Sequence, residues 1–258
     1  MRDYLKDVVQ HTHGLGFIDQ AKVVNEDAST QIEAMDDDRT VIVQAAFKEQ
    51  VPGLSGTFGL PNLGKLNILL NIDEYKDNAN ITVNSQDRNG ETVPFGLHFE
   101  NANGDFKNDY RFMSKEIVEE KLKSVKFKGV NWDITMAPNS ASIARFKMQA
   151  QANSEETVFV AKTEGTDLKF FFGDASTHAG NFVFQAGVTG KLKQTWSWPV
   201  NQVQSILGLS GTATMRIAED VSNTLNVYLA FQTTCMEAHL IQAYFLALFE
   251  IGFSNNQN

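Results

Sequence analysis

Two stretches of the sequence repeat one pattern, a short helix that starts near a proline and has one apolar face and one almost uncharged face. The stretches are 58–71 and 196–208. A proline is favoured at a helix start because the first N–H groups have no acceptor within the helix. The apolar positions, at i, i+3, i+6 and i+7, are Leu63, Leu66, Leu69 and Leu70 in one copy and Val200, Val203, Ile206 and Leu207 in the other. The opposite faces hold Asn62, Lys65, Asn67 and Asn71, then Asn201, Gln202, Gln204 and Ser205. Strand-like alternation follows each copy, so the pattern predicts a helix lying on a sheet, twice.

Composition restricts the classes of protein to consider. The chain has 258 residues, enough for one large or two ordinary domains, and its 19 Phe favour a core rich in strands. The formal net charge of −9 argues against a protein held on nucleic acid by its overall field, although a local basic surface remains compatible with it.

Cysteine content and hydropathy indicate a soluble, intracellular protein. Cys235 is the single cysteine, so no internal disulfide can form and a reducing compartment is expected. The N-terminus lacks the apolar segment of a secretion signal. The longest apolar run, 239–253, contains Glu250 and falls short of the ~20 residues that span a membrane.

Each half of the chain is predicted to run helix, strands, helix, strands. Helices are predicted at 3–10, 61–71, 114–127 and 199–208. Strands are predicted at 20–24, 28–35, 40–47, 54–58, 80–84, 91–99, 131–136, 144–149, 157–163, 168–173, 181–186, 212–217 and 223–231. The polar, turn-rich stretch from residue 100 predicts an interdomain linker at 100–112, between a first domain at 1–99 and a second at 113–258.

No catalytic or metal-binding pattern is complete. His11 and His13 lack a third ligand at suitable spacing, so we interpret them as polar residues at a helix end. Asp36, Asp37 and Asp38 lack the glycine and distal glutamate of a calcium loop, so we interpret them as a solvated turn. The sequence contains neither a Walker loop nor a dinucleotide fingerprint. We expect no cofactor, no metal and no enzymatic activity. A hydrolase site built from His98, His178 and nearby acids stays open as an alternative.

Basic residues accumulate on or beside the predicted helices. Lys6 and Lys65 lie on the polar faces of two of them. The stretch 107–128 is lysine-rich, and Lys191 and Lys193 precede the second copy of the repeated helix. Such runs are usually a solvated face, but four helices that each combine an apolar and a polar face favour a shared, weakly basic surface.

The order of these elements resembles the DNA polymerase sliding clamps of myovirus-type tailed phages, which have a fold like that of proliferating cell nuclear antigen. The resemblance is strongest in 40–71, where a strand, a loop at 50–53, a strand and the leucine-rich helix follow in the family's order. It continues in 194–217 and in the helices at 3–10 and 114–127, and covers about residues 1–218. Residues 236–253 depart from it, since Leu240, Tyr244, Leu248 and Ile251 have helical spacing where a clamp has strands.

The resemblance implies an α+β chain of two similar domains of the DNA-clamp fold, with antiparallel sheets outside and four short helices on the inner face. It implies a homotrimeric ring that encircles duplex DNA without reading its sequence, is loaded by a clamp loader, and holds the replicative DNA polymerase in the cytoplasm of the infected cell. The residues it implies to face DNA are Lys6, Lys65, Lys115, Lys121, Lys123, Lys126, Lys191 and Lys193. The residues it implies to form a pocket for a partner peptide are Phe95, Leu97, Phe99, Phe106 and Phe112. A phage structural or assembly protein with an α+β fold is the alternative.

Overall fold

The computed structural model describes residues 1–26, 29–47, 49–88, 90–124, 129–174, 176, 178–209, 212–220, 226–233 and 240–250. The chain forms two compact units. The first comprises Met1–Lys126 and Thr234–Tyr244, and the second comprises Phe127–Thr233 and Phe245–Asn258. The division after residue 126 differs from the boundary expected at 100–112, because residues 107–111 form a strand that is hydrogen-bonded to the strand before it.

Five α-helices are present in the described residues. They are α1 (Arg2–His11), α2 (Leu63–Asn71), α3 (Lys115–Lys121), α4 (Ser140–Ala152) and α5 (Val200–Gly208). In the first unit α1 packs against α2, and in the second unit α4 packs against α5. The helices predicted at 3–10, 61–71 and 199–208 are confirmed as α1, α2 and α5. The helix predicted at 114–127 is confirmed only over the seven residues of α3.

The strands of the first unit form two antiparallel sheets. Those of the first sheet are β1 (Ala21–Glu26), β2 (Ser29–Met35), β3 (Val41–Phe47) and β4 (Gly56–Leu60), and they lie in the order β4-β1-β2-β3. Those of the second are β5 (Asn80–Arg88), β6 (Glu91–Glu100) and β7 (Lys107–Arg111), in chain order. The acidic turn between β2 and β3 folds as predicted, because Asp36 accepts a hydrogen bond from the Val41 N–H at 2.8 Å.

The second unit also pairs its strands in antiparallel register. Its strands are β8 (Ile134–Met136), β9 (Val158–Glu164), β10 (Asp167–Phe172), β11 (Gly180–Gln185), β12 (Trp196–Pro199), β13 (Thr212–Asp220) and β14 (Asn226–Thr233). Four of them form a sheet in the order β11-β10-β9-β12, and β13 lies between β14 and β8. The last strand, β15 (Leu240–Glu250), is hydrogen-bonded to β14.

The strand predicted at 144–149 is wrong, because these residues lie within α4. Apolar and polar residues alternate over 144–149, which is the strand pattern, but the wider spacing is helical. Ser142, Phe146 and Ala150 are buried at intervals of four, and the Asn139 side chain accepts a hydrogen bond from the Ser142 N–H at 2.8 Å. A capped first turn followed by this spacing outweighs a short alternation.

The apolar helix predicted at 236–253 is also wrong where the chain is described, since residues 240–250 form β15. A short run that is apolar at nearly every position satisfies the helical and the extended pattern equally. Pairing with another strand then decides between them, and that pairing is not visible in local sequence. Residues 234–239 and 251–258, which include Cys235, lie outside the described part of the chain.

The helices cover the apolar faces of the sheets within each unit. In the first unit Leu5 and Val8 of α1 line a small apolar cavity together with Val23, Ile32 and Phe58. In the second unit six phenylalanines and Trp198 form one aromatic cluster, in which Phe146 of α4 lies 5.0 Å from Phe159 and 5.8 Å from Phe170. The expected core of phenylalanine-rich strands is therefore present, and it anchors α4.

Candidate nucleic-acid interface

The α1–α2 pair exposes one lysine on each helix. Lys6 and Lys65 are both exposed, as their positions in the sequence predict. Asn62 determines where Lys65 lies: it adopts φ 50°, a conformation that asparagine tolerates, and its side chain accepts a hydrogen bond from the Lys65 N–H at 2.9 Å. Ile68, one turn further along the exposed face, is 66% exposed.

The α4–α5 pair exposes two basic residues and, within both helices, no acidic one. Arg145 and Lys147 are exposed on α4. The guanidinium of Arg145 lies 5.3 Å from the centre of the Phe182 ring and donates a hydrogen bond to the Val183 carbonyl at 3.3 Å. The sequence did not predict that these two residues lie on a helix, because 144–149 alternates like a strand. Asn139, a favourable helix N-cap, was the signal in the sequence that pointed to a helix here.

The two helix pairs differ in charge from the rest of the chain. They carry five basic residues, Arg2, Lys6, Lys65, Arg145 and Lys147, and two acidic ones, Asp3 and Asp7, whereas the whole chain has a net charge of −9. The other positions of α2 and α5 that are not buried include five amides, at Asn67, Asn71, Asn201, Gln202 and Gln204. The helix surfaces are thus weakly basic within an acidic protein.

Lysines 115, 121 and 123 lie on or next to α3, outside the two helix pairs. Helix α3 packs on β4, where Gly59 leaves room for it: a Cβ at position 59 would lie 2.7 Å from Val118 Cγ2. Lys115 Nζ is 3.9 Å from Glu119, and Lys121 and Lys123 are exposed. Lys126 lies outside the described residues.

Lys191 and Lys193 lie in a firmly anchored loop in front of β12. The Glu219 carboxylate accepts hydrogen bonds from the backbone N–H groups of Lys193 at 2.8 Å and Gln194 at 3.0 Å, and from the indole N–H of Trp196 at 2.6 Å. Both lysine side chains are exposed. Glu219 therefore anchors the loop through three hydrogen bonds, and Thr163 adds another by accepting from the Leu192 N–H at 3.1 Å.

The five residues expected to form a pocket for a partner peptide lie at three separate locations. Leu97 and Phe99 are fully buried in the core, and Phe106 packs against Tyr75 with ring centres 5.5 Å apart. Phe95 and Phe112 instead line a common groove in the first unit. The structure brings together only this last pair.

This groove has a volume of about 620 Å³ and lies between β4, the first half of β6 and the start of α3. Its apolar floor includes Phe58, Phe95 and Phe112, and the Phe58 and Phe112 rings are stacked at 4.3 Å. The Arg111 guanidinium lies 4.6 Å from the centre of the Phe95 ring.

An ion pair borders the same groove. Arg88 Nη1 lies 3.4 Å from Glu116 Oε2. A hydrogen bond from the Ser114 side chain keeps the pKa of Glu116 below its ordinary value, and the positive charge of Arg88 adds to this effect. The groove rim therefore carries fixed charges of both signs at physiological pH.

The histidines and acidic clusters occupy structural positions. His11 is buried, with Nδ1 2.8 Å from the Asp7 carbonyl oxygen, and His13 Nδ1 lies 3.8 Å from Asp19. His98 Nδ1 is 2.8 Å from Asp109 in the first unit, whereas His178 belongs to the second. In the part of the chain that the structure describes, no group of three or more His, Cys, Asp or Glu is placed to hold a metal ion.

No helix in the described ranges is both long enough and apolar enough to cross a membrane.

Comparison with known proteins identifies the fold through structure. No protein-family model matches the sequence. No curated protein matches it either. Among solved structures, the chain is similar to the crystal structure of PCNA from Thermococcus kodakaraensis, with a TM-score of 0.61 and 13% sequence identity. The similarity covers 95% of this chain and 96% of that one. With its antiparallel sheets and a helix pair in each unit, the chain has the DNA-clamp fold of PCNA.

Proposed function

We propose that this protein is a sliding clamp that encircles duplex DNA as a homotrimer and tethers the replicative DNA polymerase. One observation carries the proposal: within a clamp fold matched over 95% of the chain, each unit presents a helix pair whose surface is weakly basic and rich in amides. The protein acts as a scaffold rather than as an enzyme, and a clamp loader places it on DNA. The setting we propose, replication of a tailed phage inside its host cell, rests on the resemblance of sequence.

The helix surfaces suit a protein that holds DNA and slides. Every lysine or arginine that neutralises a phosphate adds affinity without sequence preference, but many of them would make binding steeply dependent on salt. Four exposed cations, Lys6, Lys65, Arg145 and Lys147, together with amides that bind through water, give weak contacts that are independent of sequence. Retention would then come from enclosure of the duplex by the ring.

Two edge strands of similar length are suited to form the contact between neighbouring copies in the ring. Strand β7, of five residues, is an edge of the first unit's three-stranded sheet, and β11, of six residues, is an edge of the four-stranded sheet in the second unit. Strand β12, the other edge of the four-stranded sheet, is less suitable because it ends in Pro199. Pairing of β7 in one copy with β11 in the next uses two different surfaces, and such a contact can close into a ring.

Light scattering on the purified protein tests the ring directly. We expect a mass of about three times the 28.7 kDa of one chain at micromolar concentration. A protein that stays at the mass of one chain at tens of micromolar contradicts the proposal.

A proline at the β7 edge tests which strand makes the contact. The Phe106 carbonyl accepts a hydrogen bond from Asn101, just after β6, and the Phe112 N–H donates one to Phe95 of β6. Successive residues of an antiparallel strand direct their backbone groups to opposite sides. The N–H of Lys107 therefore points away from β6, to the open side of the sheet. Lys107→Pro removes that donor and should convert the trimer to monomers, while circular dichroism shows an unchanged fold. Lys107→Gln, which keeps the amide, should remain trimeric. A trimeric Lys107→Pro protein would exclude this edge.

A further inference from the structure

The groove described above is bounded by two strand edges that have no strand beside them in the described residues. Strand β7 ends at Arg111, opposite Gly96, so residues 91–94 of β6 pair with β5 on one side and with no described strand on the other. Strand β4 pairs with β1 along its length, and among the described residues its other side makes a single bridge, between Gly59 and Met113. Residues 56–58 of β4 and 91–93 of β6 therefore present open edges to the same groove, whereas Pro94 of β6 has no N–H to donate.

The segment that closes the end of the groove already has the geometry of an inserted strand. The Phe112 N–H donates to the Phe95 carbonyl at 2.9 Å, on the β6 side. Met113 then exchanges two hydrogen bonds with Gly59 of β4, at 2.8 and 3.0 Å. An extended chain entering the groove would continue the line of these two residues and use the same kind of backbone bonds.

The side chains around the open edges define what such a chain would carry. Phe58, Phe95 and Phe112 provide an aromatic floor, and Ile117, 41% exposed, stands at the rim. Together they fit one large apolar anchor. Arg111 contacts the Phe95 ring and has no carboxylate within ion-pair distance among the described residues, so it can bind one supplied by a ligand.

We propose that this groove binds an extended peptide segment of a partner protein by strand addition, with one aromatic or large aliphatic anchor on the Phe58–Phe95–Phe112 floor and an adjacent carboxylate on Arg111. A volume of about 620 Å³ lies in the range of pockets that enclose a small ligand or a few side chains. This inference deepens the proposed function, because it rests on the clamp's having protein partners and specifies the chemistry by which one of them binds.

The test uses a short fluorescein-labelled peptide of alternating valine and threonine with a central phenylalanine followed by aspartate. Fluorescence anisotropy with the full-length protein, without DNA, should show saturable binding. The same peptide with lysine in place of aspartate should bind about tenfold more weakly, since a charge-assisted hydrogen bond contributes roughly that factor. A peptide with proline at the residues beside the anchor should also bind weakly, because proline lacks the backbone donor that strand addition needs.

Two variants locate the peptide. Ile117→Lys places a charge at the groove rim and should abolish binding, whereas Val158→Lys changes a residue of the second unit that is equally exposed, at 42%, and should leave binding unchanged. Arg111→Gln should remove the preference for aspartate over lysine. Absence of binding to the unaltered protein, or equal binding to the Ile117→Lys protein, would overturn the inference. The assay contains no DNA, so a failure to bind the peptide would reject the groove proposal without bearing on whether the protein forms a ring around DNA.

Discussion

At the scale of single residues, close backbone contacts fix the loops beside the candidate interface. Gly190, in the loop that carries Lys191 and Lys193, lies against β8: a Cβ at this position would be 1.7 Å from the Asp133 carbonyl oxygen. Because the obstacle is backbone rather than a flexible side chain, it cannot move aside. A glycine is therefore required for the loop to approach the strand, and Glu219 completes the anchoring from the other side.

Substitution of this glycine should destabilise the protein strongly. We expect Gly190→Ala to lower the free energy of unfolding by about 1–3 kcal/mol, the range typical of overpacking. Urea denaturation followed by tryptophan fluorescence measures the change. Gly208→Ala is the control, because its Cβ would meet nothing closer than Lys147 Nζ at 3.8 Å, and its midpoint should not fall. Equal midpoints for the two variants would contradict this account of the loop.

Glu164 is a surface acid whose titration depends on two lysines. Hydrogen bonds from Lys169 at 2.8 Å, the larger cause, and from Lys162 at 2.9 Å lower the pKa of Glu164 from 4.5 to about 2. Above pH 4.5 the carboxylate is charged in the folded and unfolded chain, and the pair contributes fully to stability. As pH falls from 4.5 towards 2 the unfolded chain takes up the proton first, so the contribution is lost.

Lys169→Gln should raise the pKa of Glu164 towards its ordinary value. Carbon-detected NMR of the side-chain carboxyl measures the midpoint. Lys162→Gln should produce a smaller upward shift, since the hydrogen bond from Lys162 lowers the pKa of Glu164 less than the one from Lys169. A midpoint that is unchanged in the Lys169→Gln protein would show that the ion pair does not form in solution.

At the scale of elements, helices with a clear 3.6-residue period were predictable, and elements defined by distant pairing were not. The spacing of Leu63, Leu66 and Leu70 and of Val203 and Ile206 identified α2 and α5. Helix α4 was missed because six residues within it alternate, and β15 because its sequence is apolar on both faces. The resemblance nevertheless led to the correct fold, since it depended on the order of elements rather than on each of them.

The candidate sites were likewise predictable where they lie on helices with a clear period, and not where they depend on distant strand pairing. Lys6 and Lys65 could be placed from sequence because they lie on helices whose period is clear. The groove could not, because its walls come from β4 and β6, whose open edges depend on where β7 ends. Of the predicted pocket residues, Phe95 and Phe112 reach it, whereas Leu97 and Phe99 are buried in the core. Simple alternation would put Phe95 on the same face as these two, but Phe95 is the extra residue of a bulge in β6.

The asparagine cap predicts how firmly α4 holds its basic residues in place. The Asn139 side chain accepts a hydrogen bond from the Ser142 N–H at 2.8 Å, so Asn139→Ala should lower the free energy of unfolding by about 1 kcal/mol. Urea denaturation measures this loss. Asn139→Asp keeps the acceptor and should restore the stability of the unaltered protein. If Asn139→Asp is as unstable as Asn139→Ala, the cap is not the cause.

Helix α4 should contribute to DNA binding through Lys147. Replacing it by glutamine removes one exposed cation without touching the core, so affinity for a linear duplex should fall, and the slope of log affinity against log salt should flatten by about 0.9 if one phosphate contact is lost. Fluorescence anisotropy over a salt series gives both values. Lys121→Gln on α3 is the matched comparison. A larger effect from Lys121 than from Lys147 would place α3, rather than α4, against the duplex.

At the scale of the whole molecule, the acidic composition and the proposed contact with DNA are compatible. The chain's charge of −9 coexists with helix pairs on which basic residues outnumber acidic ones. An acidic remainder opposes adsorption of DNA elsewhere on the protein, and leaves the helix surfaces as the favourable site. The proposed ring converts these weak contacts into lasting attachment, because a closed ring leaves a duplex only through an end.

The most direct test of this account measures how the protein reaches linear DNA. A duplex biotinylated at both ends is mixed with concentrated protein, and streptavidin is added either before or after the protein. The amount of protein that co-elutes with the duplex on gel filtration is then compared. A closed ring predicts that streptavidin added first prevents binding and that streptavidin added afterwards traps the bound protein. Equal amounts in the two orders would contradict encirclement of the duplex.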